Sequence, residues 1–382
     1  MPAQADRWTV DFSCALHNRT GKFFIGRDLI ADQTDLIDTV QYWRVPLRQP
    51  PAGITAKVIG RLMAIEHKMR LRLPSALKAA STQRTPILHT DPFSVLHRGA
   101  APCDVVICHD VGPLTHTDLF APQVTELYRR VYELIAASGC RVAFVSEASR
   151  AAFAAMFGTS SHHVLIYPPL RSEVARPAAS AVPQVSGPFL LTVGSLGRRK
   201  NQALSIGAFA RSGLAARGFS YVLTGSREPG WEQVLAAAEQ TPGVVLLDYV
   251  TDEALAWLYG NAAGFVLASR LEGFGIPVAE AIAAGLVPAV TANSVLTEVA
   301  GEGALAIDPD NADSIAEAMQ HLAMMGEEER TRRAVLLSQS VRRFTRDRFR
   351  AAWRALLQPA GAIAHTPVSG APARPNNQHE WA

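Results

Sequence analysis

Short apolar runs alternate with longer helical patterns along most of this chain, and that alternation is the strongest constraint on its fold. It is the pattern of parallel sheets joined by crossover helices. In the first half, residues 8–12, 86–89, 104–108, 141–145 and 163–166 read as strands. Residues 171–188, RSEVARPAASAVPQVSGP, then lose all periodicity and gather Pro, Ala and Ser, the composition of a linker. A second series follows, with strands at 189–193, 221–224, 244–247, 264–267 and 287–290 and helices near 201–212, 231–240 and 277–284. A length of 382 residues suits two domains. The predicted organisation is a first Rossmann-like domain over 1–175, a linker over 176–188 and a second Rossmann-like domain over 189–357. The Pro-, Ala- and Asn-rich residues 358–382 are expected to be a disordered tail. Two α/β sheets joined this way face each other across a central cleft, where doubly wound folds bind ligands.

Composition narrows the function. Hydrophobic residues make up 48% and charged residues 19%, so the chain has a core to bury. No apolar run approaches the roughly 20 residues of a membrane-spanning helix, and MPAQADRW does not read as a secretory leader, so a cytoplasmic location is expected. Cys14, Cys103, Cys108 and Cys140 show no metal-ligand spacing and are read as buried free thiols, and no metal site is expected. Twenty of the 37 basic residues but only 15 of the 34 acidic ones precede residue 181, a modest asymmetry that calls for no nucleic-acid partner.

The most informative segment is 268–285, ASRLEGFGIPVAEAIAAG. Gly273 and Gly275 permit a tight strand-to-helix turn, Pro277 suits the first helical position and Gly285 ends the helix. Bare amides near Gly275 and Ile276 would then meet an anion such as a diphosphate at a helix N-terminus. Glu272 and Glu280 border that point, and carboxylates grip sugar and ribose hydroxyls; the plainer reading leaves the glycines as a turn and Glu280 as a dipole complement. GSLGRRKN, 194–201, puts Arg198, Arg199 and Lys200 between a strand and a helix, either as a phosphate site or as a solvated charge run. His109 ends a strand, as a core histidine or as a cleft residue. Ser146 either donates into the cleft or caps the helix starting near Glu147. Gly21 and Gly26 are spaced like the ends of a Walker loop, but Arg27-Asp28 follows where Lys-Ser/Thr is required; a flexible loop near the acceptor is the reading kept for Gly21.

EGFGIPVAEAIAAG followed by TANSVLTEVAGEGALAIDPDN resembles the E-x7-E region of the family 4 glycosyltransferases, retaining enzymes of the GT-B fold. VGSLGRRKN is similar to that family's VGxxxPRKN turn, YVLTGSREPGW to its second nucleotide-domain strand, and LLDYVTDEALAWLYGNAAGFV to its base-binding loop, which includes Val250. VVICHDVGPL and FVSEASRAAFAAMFG resemble its first-domain motifs. The resemblance implies that Glu280 holds the ribose of a sugar nucleotide and that Glu272, with the backbone at Phe274 and Gly275, holds the transferred sugar. It further implies that Lys200 and Arg199 neutralise the leaving diphosphate, with His109 at the cleft wall. Gly197-Arg198, Ser195 and Asp248 depart from the family pattern around the diphosphate and base.

The resulting expectation is a metal-independent, cofactor-free retaining hexosyltransferase that takes mannose from GDP-mannose, with UDP- and dTDP-sugars as alternative donors. A non-catalytic nucleotide-sugar-binding protein of the same fold is the rival. The resemblance to bacterial polysaccharide mannosyltransferases implies a polyprenyl-diphosphate-linked saccharide as acceptor. Residues 54–81 place Ile54, Val58, Ile59, Leu62, Met63, Ile65, Met69 and Leu73 among Lys57, Arg61, Lys68, Arg70, Arg72 and Lys78. That pattern suits either an ordinary packed helix or one lying on an anionic membrane surface, here the inner face of the plasma membrane.

Overall fold

The computed structural model describes residues 7–16, 21–72, 85–171 and 181–358. Its first half contains strands β1 (Trp8–Asp11), β2 (Ile37–Tyr42), β3 (Val45–Pro46), β4 (Ile87–His89), β5 (Val105–Cys108), β6 (Arg141–Phe144) and β7 (His163–Leu165). Helices α1 (Gly21–Asp32), α2 (Gly53–Arg72), α3 (Val95–Arg98), α4 (Gly112–Thr115), α5 (Pro122–Ser138) and α6 (Glu147–Phe157) connect them. The sheet runs β3-β2-β1-β4-β5-β6-β7 and is parallel except for the β2–β3 edge.

The second half repeats the plan with β8 (Phe189–Val193), β9 (Ser220–Thr224), β10 (Val244–Leu247), β11 (Gly264–Leu267), β12 (Pro288–Thr291) and β13 (Leu305–Ile307). Its helices are α7 (Gln202–Ser212), α8 (Trp231–Glu239), α9 (Asp252–Asn261), α10 (Ile276–Ala283), α11 (Val295–Ala300), α12 (Ala312–Met324), α13 (Glu327–Val341) and α14 (Arg346–Leu357). This sheet is all parallel, ordered β10-β9-β8-β11-β12-β13.

The central strands β5, β8 and β11 are buried along their whole length, as continuous apolar runs in a sheet covered on both faces should be. Strand β2 escapes a sequence reading because IDTVQY interleaves polar residues near the sheet edge, where only Ile37 and Tyr42 are buried. Strand β13 has three residues, too few to stand out. Of the expected linker 176–188, residues 176–180 lie outside the described residues, while Val182 and Val185 beyond them are buried in the main core. The expected tail lies outside them from residue 359 onward. Cys108 and Cys140 are buried free thiols, whereas Cys14 and Cys103 are only partly covered.

Helix α14 ends at Leu357 and links the two halves. Its sequence belongs to the second series, yet it packs on the first sheet. Trp8 Nε1 donates to Leu357 O at 2.8 Å, Gln33 Nε2 to Arg350 O at 2.8 Å and Arg141 to Leu356 O at 2.5 Å. Phe349, Trp353 and Leu357, spaced i, i+4, i+8, form its buried stripe. Periodicity shows that such a stripe must be covered but not which sheet covers it.

If this apolar stripe rather than the surrounding ion pairs holds α14, Trp353→Ala should cost about 3–5 kcal/mol. Arg354→Ala, which removes the exposed 2.5 Å pair with Asp35, should cost under about 1 kcal/mol. Chemical denaturation of the full chain measures both, and equal losses would contradict the assignment.

Candidate active site

The C-terminal ends of both sheets meet at one cavity of about 690 Å³, lined from both halves of the chain. Strand order reverses between β1 and β4 in one sheet and between β8 and β11 in the other, which is where open α/β sheets form their binding crevices. Of the residues singled out in the sequence, Gly21, His109, Arg199, Lys200, Val250, Glu272, Phe274, Gly275, Ile276 and Glu280 all line it.

On the second-sheet side, the chain leaves β8 into a short 3-10 turn, Arg198–Lys200, and leaves β11 toward Glu272. Lys200 Nζ reaches Glu272 Oε1 at 2.5 Å, and Arg199 lies 3.4 Å from Glu272 Oε2. Arg199 also stands 3.3 Å from Glu228, a carboxylate the sequence reading missed. Burial works to raise the Glu272 pKa, but Lys200 and Arg199 outweigh it and hold the carboxyl below its ordinary value. Burial pulls the Lys200 ammonium down, while Glu272 supports its charge. Opposite charges so closely packed make a preorganised electrostatic surface.

Helix α10 begins beside this cluster. Gly275 takes φ +96°, a conformation that disfavours side chains, and no side chain caps this helix end. Ile276 is the first helical residue and Pro277, which has no N–H, the second, so this end of the helix presents backbone donors without a side-chain cap. Phe274 turns its ring inward, 5.0 Å from that of Phe344, and leaves its backbone at the turn. One turn along, Glu280 is buried and already engaged: Arg171 donates to Oε1, and the Tyr259 hydroxyl to Oε2 at 3.1 Å. Neither partner was foreseen, although Arg171 opens the stretch RSEVARP where periodicity breaks off.

On the first-sheet side, His109 follows β5, with Nε2 2.8 Å from the Thr90 carbonyl. A carbonyl only accepts, so Nε2 carries the proton and Nδ1 keeps its lone pair. Burial, helped by the Lys22 ammonium, pushes the His109 pKa down to about 4, so the ring is neutral near pH 7. Beside it, Lys22 and Asp91 form a 2.9 Å ion pair that no local motif announces.

Of the two readings left open for Ser146 the structure shows the cap, while the loop expected at Gly21 needs correction. Ser146 does not line the cavity: it caps α6 by accepting from Ser149 N at 3.1 Å and donates to the Gly273 carbonyl at 2.7 Å, joining the two halves. Gly21 is not in a loop but is the first residue of α1, so close to α10 that a Cβ there would stand 3.1 Å from Ile276 Cδ1. Two further contacts close the cleft. Glu298 accepts from the Glu147 and Ala148 amides at 2.8 and 2.9 Å, capping α6 from the opposite half. At Gly273 an added Cβ would fall 2.3 Å from the His109 carbonyl, so glycine is required for this approach.

Comparison with known proteins agrees with this architecture. Residues 179–334 match the family model Glycosyl transferases group 1. O-antigen chain mannosyltransferase B of Escherichia coli is 35% identical over 135 residues, which cover 34% of this chain and 35% of that protein. Serotype-specific mannosyltransferase WbdA of Escherichia coli is 26% identical over 141 residues, covering 35% of this chain and 17% of that protein. The chain thus spans about a third or less of the length of these curated relatives. Among solved structures, Anabaena HepE in complex with UDP and glucose superposes with a TM-score of 0.65 at 15% identity, covering 92% of this chain and 99% of that one. WaaG, a glycosyltransferase involved in lipopolysaccharide biosynthesis, gives 0.63 at 14% identity, covering 91% and 98%. The fold is GT-B, and the match to the glycosyl transferases group 1 model falls in its second half.

The His109 environment has a consequence for stability. Its pKa falls from 6.5 in a free histidine to about 4 here, so between these values the unfolded chain binds the extra proton and acid favours unfolding. The contribution is full above pH 6.5 and lost as pH falls toward 4; at about 1.4 kcal/mol per pKa unit it amounts to roughly 3 kcal/mol. Denaturation at pH 7.5 and 4.5 should show wild type losing more stability than His109→Gln by up to that amount. His67, also depressed to about 4, is common to both and cancels. Parallel profiles would contradict the buried neutral imidazole.

Proposed function

We propose that the protein is a retaining glycosyltransferase that moves a hexose, mannose from GDP-mannose, onto a lipid-linked saccharide during bacterial surface-polysaccharide assembly. The observation that carries this reading is the convergence of Lys200, Arg199 and Glu272 with the uncapped start of α10 at the ends of β8 and β11, facing His109. Cations and helix amides in a desolvated site stabilise charge that develops as a diphosphate departs, which is the largest demand of this chemistry. Lys200 and Arg199 then share their charge between Glu272 and the diphosphate, Glu272 accepts from hydroxyls of the sugar, and Glu280 accepts from the ribose. The acceptor hydroxyl attacks the anomeric carbon on the face the diphosphate leaves. The C–O bond to the acceptor forms as the bond to the phosphate oxygen breaks, and that oxygen takes the proton. Mannose is favoured by the names of the curated relatives; the UDP and glucose held by HepE make a UDP-sugar the second reading.

The acceptor's location rests on helix α2. Ile54 is 80% exposed, and Val58, Leu62, Ile65 and Met69 are between 47% and 58% exposed. At roughly 100° per residue these five fall within about 80° of one another, and Lys57, Arg61 and Lys68 flank the stripe. Among the described residues of the apolar set, only Ile59 and Met63 turn inward. Glu66, the one acidic residue of α2, is tied to Arg44 at 2.6 Å and Arg70 at 2.7 Å, so it does not offset that edge. Lys78 and Leu73 lie outside the described residues. An apolar stripe edged by cations complements an anionic lipid surface, each cation near the surface contributing about 1 kcal/mol. Among the described residues no helix is long and apolar enough to cross a membrane.

Lys200→Ala and Glu280→Ala should each lower transfer by roughly a hundredfold or more, since each removes a charged contact from the donor site. A screen of GDP-, UDP- and dTDP-sugars with a lipid-linked acceptor measures this. A variant with unchanged Tm and near-native turnover would refute the assignment. Vesicle sedimentation tests the surface: binding should require anionic lipid, weaken with salt, and fail when Lys57, Arg61 and Lys68 are together replaced by Glu. Equal binding to neutral vesicles would place the acceptor in solution.

A further inference from the structure

Arg171 stands on the connection that leaves β7 for the second half, yet it reaches into the site at Glu280. Leu170 beside it is anchored by donating its N–H to Phe344 O at 3.0 Å. The Arg171 guanidinium lies 4.8 Å from the centre of the Phe24 ring on α1, and its Nε donates to Glu280 Oε1. The pair is enclosed, with side chains 13% and 1% exposed. Arg171 is thus held between a first-half aromatic ring and a second-half carboxylate, and both of its neighbours line the cavity.

A carboxylate has about four lone-pair positions. Arg171 occupies one on Oε1 and Tyr259 one on Oε2, which leaves each oxygen able to accept one further hydroxyl. Two adjacent O–H donors, the cis-diol of a ribose, match that remaining capacity. Without Arg171 the buried carboxylate would keep only the Tyr259 hydroxyl and would lose the contact that fixes its plane.

We propose that Arg171 is a positioning residue of the nucleotide site, holding the Glu280 carboxylate oriented for a ribose diol, so that a first-half strap completes a second-half subsite. The proposal rests on the donor-site reading above. It also couples nucleotide affinity to the closeness of the two halves, because Phe24 forms the back of the arginine.

Binding of GDP and UDP, followed by calorimetry on the full chain, tests it. Arg171→Met keeps the stem over Phe24 and removes the charge; it should weaken the nucleotide that wild type binds by roughly tenfold or more, and Arg171→Lys should recover part of the loss. Made on top of Glu280→Gln, either change should cost less than about threefold, because the partner it positions is gone. The same loss in both backgrounds, or wild-type affinity in Arg171→Met while Glu280→Gln is impaired, would overturn the positioning role. Should Arg171→Met not fold, the lysine variant compared in the two backgrounds decides by the same criterion. Failure of wild type itself to bind either nucleotide would instead overturn the donor-site reading.

Discussion

The buried pairing of Lys200 with Glu272 is the interaction on which the rest of the site depends. A lone ammonium or carboxylate at that depth would lose several kcal/mol of hydration, and only a close partner offsets the loss. Lys200 arrives on the turn after β8 and Glu272 on the turn after β11, so their contact requires those strands to be neighbours with their C-terminal ends together. The doubly wound order provides that neighbourhood, and the charge pair in turn fixes the two turns that frame the start of α10.

The two halves meet through main-chain groups as much as through side chains. The Gly273 carbonyl accepts from Ser146, the α6 amides donate to Glu298, and the His109 carbonyl approaches Gly273 where no Cβ fits. These contacts join the turn that carries the second-half site to the strand ends that carry the first-half wall. One apolar core running from Trp8 through the second sheet to Trp353 backs them, and α14 returning to the first sheet closes the arrangement. A cleft built this way holds its facing groups at short fixed distances, which electrostatic catalysis of group transfer requires.

The first half contributes a different chemistry. His109 is kept neutral by burial and by Lys22, while Lys22 and Asp91 neutralise one another at the end of β4. The second-half wall thus sets Lys200 and Arg199 beside Glu272 and Glu228, and the first-half wall offers a neutral ring, the Lys22–Asp91 pair and the Asp110 carboxylate. That asymmetry fits a cleft with an anionic ligand on one side and a hydroxyl-bearing ligand on the other.

What the sequence determined by itself was local. Apolar runs announced β5, β8 and β11 because a strand covered on both faces has no solvent-facing position, and the one hydroxyl among them, Thr192, is hydrogen-bonded inside. EGFGIP announced the turn into α10 because the backbone there needs Gly275 at positive φ, and GRRKN announced cations at a helix start. Tertiary structure alone decided which groups meet. Arg171 and Glu280 lie 109 residues apart, Glu298 and the α6 amide of Glu147 151 apart, and Lys22 and Asp91 69 apart, and no periodicity records such separations. Strand β2, missed because its place near the sheet edge tolerates Asp38, Thr39 and Gln41, and helix α14, whose apolar stripe could cover either sheet, have the same cause. Local pattern follows from the short range of backbone sterics and side-chain alternation, whereas long-range pairing follows from which surfaces remain uncovered once the sheets have formed.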